Sequence, residues 1–206
     1  MKLYNFEKEK NELKERNANI KLNNLLEIFN NSSSIIQNKI DYQKLIIKWI
    51  QEKVNKNIIK INLIFKMSKN GSNSDDFHQY CDNQGPTLTI TQTSKDKIFG
   101  GFTNLSWNNH EGYINDKSNN TFIFSLNLKK RYDMININKV AICCGKITGP
   151  HFGHDDFGFR KNMKVGFVYA LNNTNFLSNN NLELIDEKGN YKTFEAKELE
   201  VYQILF

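Results

Sequence analysis

The segment 75–90, DDFHQYCDNQGPTLTI, contains residue types that bind metals or carry catalysis in many proteins. His78, Cys81 and Asp82 place an imidazole, a thiol and a carboxylate close together in the chain. A zinc site would need a second pair of ligands at similar spacing, and the rest of the sequence does not contain one. On a short helix, Phe77 and Cys81 instead lie one turn apart and face the core, while His78 makes a hydrogen bond. We therefore predict a structural segment with no bound metal and no cofactor.

A second polar cluster consists of His151, His154, Asp155 and Asp156. Two imidazoles and two carboxylates could bind a divalent cation. On a loop, however, such a composition is more typical of an exposed surface. We predict that these four residues contact a protein partner and hold no metal.

The adjacent residues Cys143 and Cys144 could supply a thiol nucleophile with a histidine as its base. The run from Ala141 to Cys144 is typical of a buried strand, where cysteine acts as a small apolar residue and one of the two thiols points outward. Ser106 lacks the glycine-flanked elbow of a serine hydrolase. The sequence favours a protein that is not an enzyme, with a metal- or thiol-dependent enzyme as the alternative.

Length and composition favour one globular domain with a short additional segment. The chain has 206 residues, of which 39% are hydrophobic, enough to close a core without disulfides. The net charge of +6 comes from lysines scattered along the chain, so no basic cluster of the kind that tracks nucleic acid is present. The odd number of cysteines, 3, predicts free thiols in a reducing compartment. No stretch resembles a signal peptide or a membrane span, so we expect a cytoplasmic protein.

The first 31 residues are predicted to form a charged helical arm. Leucine and phenylalanine residues over 22–29 form one apolar helical stripe, whereas residues 7–16 alternate in charge. Phe6, Leu13 and Ile20 recur every seven residues, a weak coiled-coil pattern. In this arm we expect partner contacts from four charged residues: Glu7, Lys10, Lys14 and Arg16.

The next elements follow from periodicity. Apolar residues at helical spacing predict a helix that begins with Asp41 as its N-cap, and alternation over 59–67 predicts a strand. Ser74 is predicted to cap a short helix over 75–81. Further short strands are predicted at 122–126, 140–144, 164–169 and 200–205.

A hairpin is predicted between the strands 87–93 and 98–103, joined by residues 94–97. Gly100 and Gly101 lie inside the second strand, which predicts either a bulge or a close approach of another part of the chain. Many short strands after a few helices predict an α+β fold, a β-rich sandwich decorated by helices.

The order of five motifs, DFHQYCDNQGPTLTI, IFGGFTNLSW, FIFSL, GPHFG and ELEVYQIL, resembles the TLDc domain family over about residues 33 to 206. The residues that carry this resemblance are Asp76, Phe77, His78, Cys81, Asp82, Gly85, Pro86, Thr87, Gly100, Gly101, Trp107, Gly149, Pro150, Phe152 and Gly153.

The resemblance implies a curved two-sheet antiparallel β-sandwich decorated by helices, here residues 32–206 after the arm of residues 1–31. Family members are associated with resistance to oxidative stress, and several bind the vacuolar proton-pumping ATPase. No established catalytic activity or cofactor accompanies the resemblance. The sequence departs from the family pattern after Gly153, where a shortened loop runs straight into His154.

The resemblance therefore implies a non-enzymatic interaction module that binds a large cytosolic assembly, with the vacuolar ATPase as the leading candidate. Such a protein would be cytoplasmic, or held beside an organelle membrane by its protein partner. A structural subunit of a cytoskeletal or organellar assembly is the other non-enzymatic alternative.

Overall fold

The computed structural model describes residues 2–110, 112–169, 175–176, 184–185 and 191–206, with side chains from residue 7 onward. The described part is an α+β fold. Its helices are α1 (Lys2–Ser32), α2 (Ile40–Val54), α3 (Met67–Asn70) and α4 (Ser74–Cys81). Its strands are β1 (Lys60–Lys66), β2 (Thr87–Thr93), β3 (Ile98–Thr103), β4 (Gly112–Asn115), β5 (Phe122–Ser125), β6 (Lys130–Asp133), β7 (Val140–Cys144), β8 (Thr148–Phe152), β9 (Phe157–Arg160), β10 (Val165–Tyr169) and β11 (Tyr191–Leu205).

The strands form one connected antiparallel sheet rather than two separate sheets. Within the described residues the strand order is β4-β7-β8-β9-β10-β11-β2-β3-β5-β6, and β1 pairs with β11 beside this path. The predicted α+β class with antiparallel strands is confirmed. The division into the two sheets of a sandwich is not confirmed, because hydrogen bonds connect every strand.

Strand β11 connects the two parts of this sheet. Its residues 191–195 pair with β10, its residues 196–203 pair with β2, and its residues 200–205 also pair with β1. The register shifts between Ala196 and Glu198, and such a bulge bends a strand. The sequence predicted a strand only over 200–205, because the polar residues before Leu199 hide the first half.

Two clusters of apolar side chains fill the space on either side of strands β3 and β5. Ile123 belongs to one cluster, whereas Phe122 and Phe124 belong to the other, as the two-residue period of a strand requires. On the first side, Phe99 of β3 lies 5.5 Å from Phe157 of β9, measured between ring centroids. Helices α1 and α2 close the second side. The sheet is therefore buried on both faces at β3 and β5.

Helix α2 begins two residues earlier than predicted. Its N-cap is Lys39 and its first residue is Ile40, so Asp41 lies in the first turn and is not the cap. A carboxylate in the first turn still interacts favourably with the helix dipole.

Helix α4 is capped by Asn73 and not by Ser74, so the predicted cap is wrong by one residue. Asn73 forms a capping box with Asp76, in which the Asn73 backbone N–H donates to Asp76 Oδ2 at 3.0 Å. The Ser74 hydroxyl is used elsewhere, because it donates to the Lys146 carbonyl at 3.0 Å. Asp76 thus has a structural role.

The predicted hairpin between β2 and β3 is confirmed, with pairing from Thr87–Thr103 to Gln92–Ile98. Its turn places Asp96 in the left-handed region, at φ 56°. The two glycines of β3 pair in regular register, so the bulge alternative is wrong there. The close approach is confirmed: a Cβ on Gly101 would lie 2.6 Å from the Phe152 ring.

The end of α1 is attached to the sheet by Glu200, whose side chain is fully buried on β11. Its carboxylate accepts hydrogen bonds from the Ser33 hydroxyl at 2.7 Å, the Ser34 backbone N–H at 2.7 Å and the Tyr202 hydroxyl at 2.9 Å. Lys66 Nζ lies 3.3 Å from the same carboxylate. Because every oxygen of this buried charge has partners, the cost of its burial is offset.

No helix among the described residues combines the length and the apolar character needed to cross a bilayer.

Candidate interaction surface

The segment 75–90 is a packed structural unit. His78 Nδ1 lies 2.7 Å from Asp82 Oδ1, and His78 Nε2 lies 2.9 Å from the Gly145 carbonyl oxygen. Both ring nitrogens are therefore occupied, as predicted for a hydrogen-bonding histidine. The Phe77 and Cys81 side chains are fully buried. In the described part of the chain, no three side chains of the His, Cys, Asp or Glu type come together as metal ligands would.

The turn after α4 places Trp107 in the core. Gly85 has φ +75° and so provides the left-handed turn before Pro86. Thr87 then begins β2, and its hydroxyl accepts a hydrogen bond from Trp107 Nε1 at 2.8 Å. Trp107 is 1% exposed and so lies in the core. These motif residues build the fold and present no reactive group to solvent.

Two of the three thiols are buried and protonated at neutral pH. Burial, followed by the charge of Asp82, raises the pKa of Cys81 above its ordinary range. Burial raises the pKa of Cys144 to about 11, although a backbone hydrogen bond from Asn108 lowers it. A thiolate is the reactive form of cysteine, so these two side chains are inert fillers. Cys143 is partly exposed, which confirms that one of the adjacent pair points outward.

The segment that joins β8 and β9 is less exposed than predicted. His151 is 4% exposed and Asp156 is 3% exposed, so the expectation that these two residues lie on the surface is wrong. His151 Nε2 lies 3.1 Å from the His154 carbonyl oxygen. Asp156 accepts hydrogen bonds from Asn175, at 2.9 Å from the backbone N–H and 2.6 Å from the side-chain amide. Both residues therefore lie on the buried side of the loop and stabilise its conformation.

Gly149, Pro150, Phe152 and Gly153 hold this segment in place. The first three lie in β8 and are buried. Gly153 has φ +69°, and a Cβ there would collide with the Asp156 carboxylate. The positive φ and the missing Cβ together explain why glycine occupies this position.

Charged side chains lie on the outer side of the same loop. Together with two neighbouring residues they form a patch that we name the loop surface: Tyr113, His154, Asp155 and Arg160. The Tyr113 and His154 rings stack with centroids 4.5 Å apart. His154 Nδ1 lies 3.1 Å from Asp155 Oδ2, and Arg160 lies 3.8 Å from Asp155 Oδ1. A hydrogen bond from His151 lowers the pKa of Asp155, against a raising effect of partial burial, and His154 lowers it further. Asp155 is therefore a carboxylate at neutral pH.

The second exposed surface is the first half of α1. From here on, the arm means residues 7–21 only, because Leu25, Leu26 and Phe29 of the predicted arm 1–31 are buried in the core. All side chains of the arm are exposed, including those of Glu7, Lys10, Lys14 and Arg16. Leu13 is 58% exposed and Ile20 is 50% exposed. The second half of the helix differs, because Leu25, Leu26 and Phe29 are buried against the sheet and α2. The charged residues are therefore available to another molecule.

Sequence reasoning missed three features of these surfaces. Tyr113 was not singled out, although it stacks on His154 across neighbouring parts of the sheet. The burial of Glu200 had one signal in the sequence, because the apolar residues Leu199, Val201 and Tyr202 surround it. Asp116 was also missed, and it organises the turn after β4 by accepting hydrogen bonds from Thr121 N and Oγ1, both at 2.8 Å.

Comparison with known proteins gives one family. The model of the TLDc domain matches residues 29–205, from the buried end of α1 to the end of β11. A search of curated proteins finds no match. Because the matched region covers most of the chain, the protein belongs to the TLDc domain family.

Proposed function

We propose that this protein is a non-enzymatic interaction module that binds a larger protein assembly, with the vacuolar proton-pumping ATPase as the leading candidate and a role linked to oxidative-stress resistance. The observation that carries the proposal is membership in the TLDc domain family. The pump is the leading candidate because the family resemblance implies it, since several members bind this ATPase. The two exposed surfaces described above supply the contacts.

In this proposal the sheet acts as a rigid body and the arm makes the main contacts with the partner. The arm presents the alternating charges of Glu7, Lys10, Lys14 and Arg16 on exposed side chains. The loop surface adds His154 and Asp155. Charged groups at the rim of an interface steer encounter and select the partner. Binding would insert the domain between subunits of the assembly or compete with one of them.

A role other than catalysis is supported by the chemistry of the motif residues. His78 has both nitrogens in hydrogen-bonding contact, and burial raises the pKa values of Cys81 and Cys144. These groups serve packing in this structure. The protein would act in the cytoplasm, beside an organelle membrane to which its partner belongs.

The test is an affinity purification of the tagged protein from cells that express it, followed by mass spectrometry. Removal of the whole helix would also remove Phe29 from the core, so charge reversal is the better perturbation. The first variant is Lys10→Glu, Lys14→Glu and Arg16→Glu. The matched control carries the same change of charge at exposed lysines outside the arm, namely Lys44→Glu, Lys117→Glu and Lys146→Glu.

Recovery of vacuolar ATPase subunits with the wild-type protein and the control, and their loss with the arm variant, is the expected result. Recovery of a different assembly that persists at high salt would replace the pump by a structural complex, because exposed charge contacts are screened by salt. Equal recovery by both variants would remove the arm from the interface.

A further inference from the structure

We propose that the groove between helices α1 and α2 binds a short, extended, acidic segment of a partner protein. The groove has a volume of about 430 Å³, which is in the range of sites that hold a ligand. One wall consists of α1 residues between Lys14 and Leu25, and the other consists of α2 residues together with Asn57 and Ile58. The proposal rests on the proposed function in that the arm meets another protein, and it adds the chemistry of the segment that is bound.

The floor of the groove is apolar. Leu22 is half-buried, and it packs against the core cluster that contains Leu25, Ile47 and Ile58. Ala18 lines the groove beside this floor, and its small side chain leaves the space open. An apolar side chain of a bound segment would leave water on this floor, which favours binding. We therefore expect an apolar residue in the middle of the segment.

The rim of the groove is positively charged. Lys14 and Lys21 lie about two turns apart on α1, and both line the groove. Among the described residues that line it, none is an aspartate or a glutamate. Neither lysine forms an ion pair within 4.0 Å with a carboxylate in the described part of the chain. The two ammonium groups are therefore available to carboxylates of another molecule.

The acidic residues nearest to the groove in the sequence lie elsewhere. Glu52 of α2 lies 3.7 Å from Lys48 Nζ and 3.5 Å from Arg131 Nη1. Glu15 of the arm lines a separate crease of the same helix. Lysine and arginine outnumber aspartate and glutamate by 12 to 7 in residues 1–60, so this part of the chain carries most of the net charge of +6. Charge complementarity therefore favours an acidic segment.

Amide side chains around the groove favour an extended backbone in the bound segment. Asn17 and Asn19 on one wall, and Gln51 and Asn57 on the other, carry groups that donate and accept hydrogen bonds. An extended segment presents free backbone N–H and C=O groups, whereas a helix uses these groups internally. The wall formed by residues 14–25 is roughly 16 Å long. This length corresponds to about five residues of extended chain.

The shape of the groove favours a protein segment over a membrane surface. Basic residues also attract anionic lipids, but interfacial helices insert a protruding apolar face into the bilayer. Here Leu25, Ile47 and Ile58 lie at the bottom of a concave site between two helices. A single chain segment can enter such a site, whereas the surface of a bilayer cannot.

The experiment is a selection of peptides by the purified full chain from a phage-displayed library of random sequences. We expect the selected peptides to combine aspartate or glutamate with a central apolar residue. Their binding, measured by fluorescence polarisation, should weaken about tenfold or more in Lys14→Glu with Lys21→Glu, because attraction becomes repulsion. The matched control, Arg16→Glu with Lys146→Glu, makes the same change of charge at exposed residues outside the groove. It should bind these peptides as the wild type does.

Ala18→Trp tests the groove without a change of charge, since the indole would occupy the space that the segment needs. Binding should again weaken about tenfold or more. Asn11→Trp introduces the same side chain at an exposed position of the arm outside the groove, and it should leave binding unchanged. Because all of the substituted side chains are exposed, these variants should retain the fold, which circular dichroism checks.

Three results would overturn the proposal. The first is a selection that yields no peptides, or only peptides without acidic residues. The second is equal binding by the groove variants and their controls. The third is binding only to vesicles of phosphatidylserine and phosphatidylcholine, which would assign the basic rim to a membrane surface. Because the experiment contains no ATPase subunit, its outcome is independent of whether the pump is the partner.

Discussion

The two halves of helix α1 are continuous in backbone and opposite in environment. Residues 22–32 place Leu25, Leu26 and Phe29 in the core, and the chain just beyond is held by hydrogen bonds to Glu200. Residues 7–21 have exposed side chains throughout. The first group of contacts stabilises the helix through tertiary packing, whereas the arm depends on local interactions that are weak in water. One helix can thus anchor itself at one end and offer a binding surface at the other.

The largest difference between the halves should be seen with Phe29→Ala. Phe29 is fully buried and its ring centroid lies 5.2 Å from that of Tyr202. Removal of the ring should lower the free energy of unfolding by about 3–5 kcal/mol, because transfer energy is lost and a cavity remains. Leu13→Ala in the arm is the matched control, and its effect should lie within about 0.5 kcal/mol. Urea denaturation of both variants at low protein concentration measures the two values. Similar losses would contradict the division of the helix.

The next largest effect should come from Glu200→Gln. The neutral amide keeps the shape of the side chain but presents an N–H group to donors such as Ser33 Oγ and Ser34 N, and it leaves Lys66 without its charge partner. Loss of a charge-assisted hydrogen bond costs about 1.5–3 kcal/mol. Urea denaturation should show a loss in this range. A change near zero would mean that Glu200 does not fasten the end of α1.

Acid should lower the free energy of unfolding of the domain through Asp116, a residue outside the arm. Burial raises the pKa of Asp116, but the hydrogen bonds from Ser118 and Thr121 together outweigh this and lower it below the ordinary value. The stabilisation is fully present above the unfolded pKa of roughly 3.9. It is lost as pH falls through the lower folded pKa. Asp116→Asn should therefore be less stable at neutral pH and should lose less stability on acidification than the wild type.

The control for the acid experiment is Asn11→Ala, which changes an exposed side chain of the arm that does not ionise. This variant should follow the wild-type dependence of unfolding free energy on pH. If Asp116→Asn also followed the wild-type curve, the hydrogen bonds around Asp116 would not be the source of the acid effect.

The smallest effect is expected for Lys8→Ala. Lys8 Nζ and Glu12 Oε1 lie 4.0 Å apart, one turn from each other, and both side chains are well exposed. Exposed pairs of this kind contribute about 0.3–0.5 kcal/mol. Thermal denaturation should give a change at or below that limit, and helical circular dichroism should fall only slightly. A large loss of helical signal would show that the arm depends on this pair.

Periodicity predicted most of the elements. The apolar stripe at 22–29, the hairpin 87–103 and the alternating strand at 59–67 all have strong local patterns, and each is present in the structure. The N-caps at Asp41 and Ser74 were wrong by one or two residues, because several neighbouring polar side chains could cap and tertiary contacts decide among them. For Ser74, the contact was the Lys146 carbonyl.

The parts that sequence could not predict depend on long-range pairing. The length of β11 and its pairing with β10, β2 and β1 bring together residues far apart in the chain. The burial of His151 follows from the same cause, since Phe167 of β10 packs on its ring with centroids 5.0 Å apart. The type of a polar residue predicts an exposed position, and this rule fails where the polar group has buried partners.

Hydrogen exchange of the free, dilute protein tests the central claim most directly. Mass spectrometry of peptic fragments would compare residues 7–21 with residues 22–32 of the same helix. We expect rapid exchange in the arm and strong protection in the second half, because only the latter is packed on the domain. Protection of the arm equal to that of residues 22–32 in dilute protein would contradict the account, since the arm would then be part of the folded core and not a free surface.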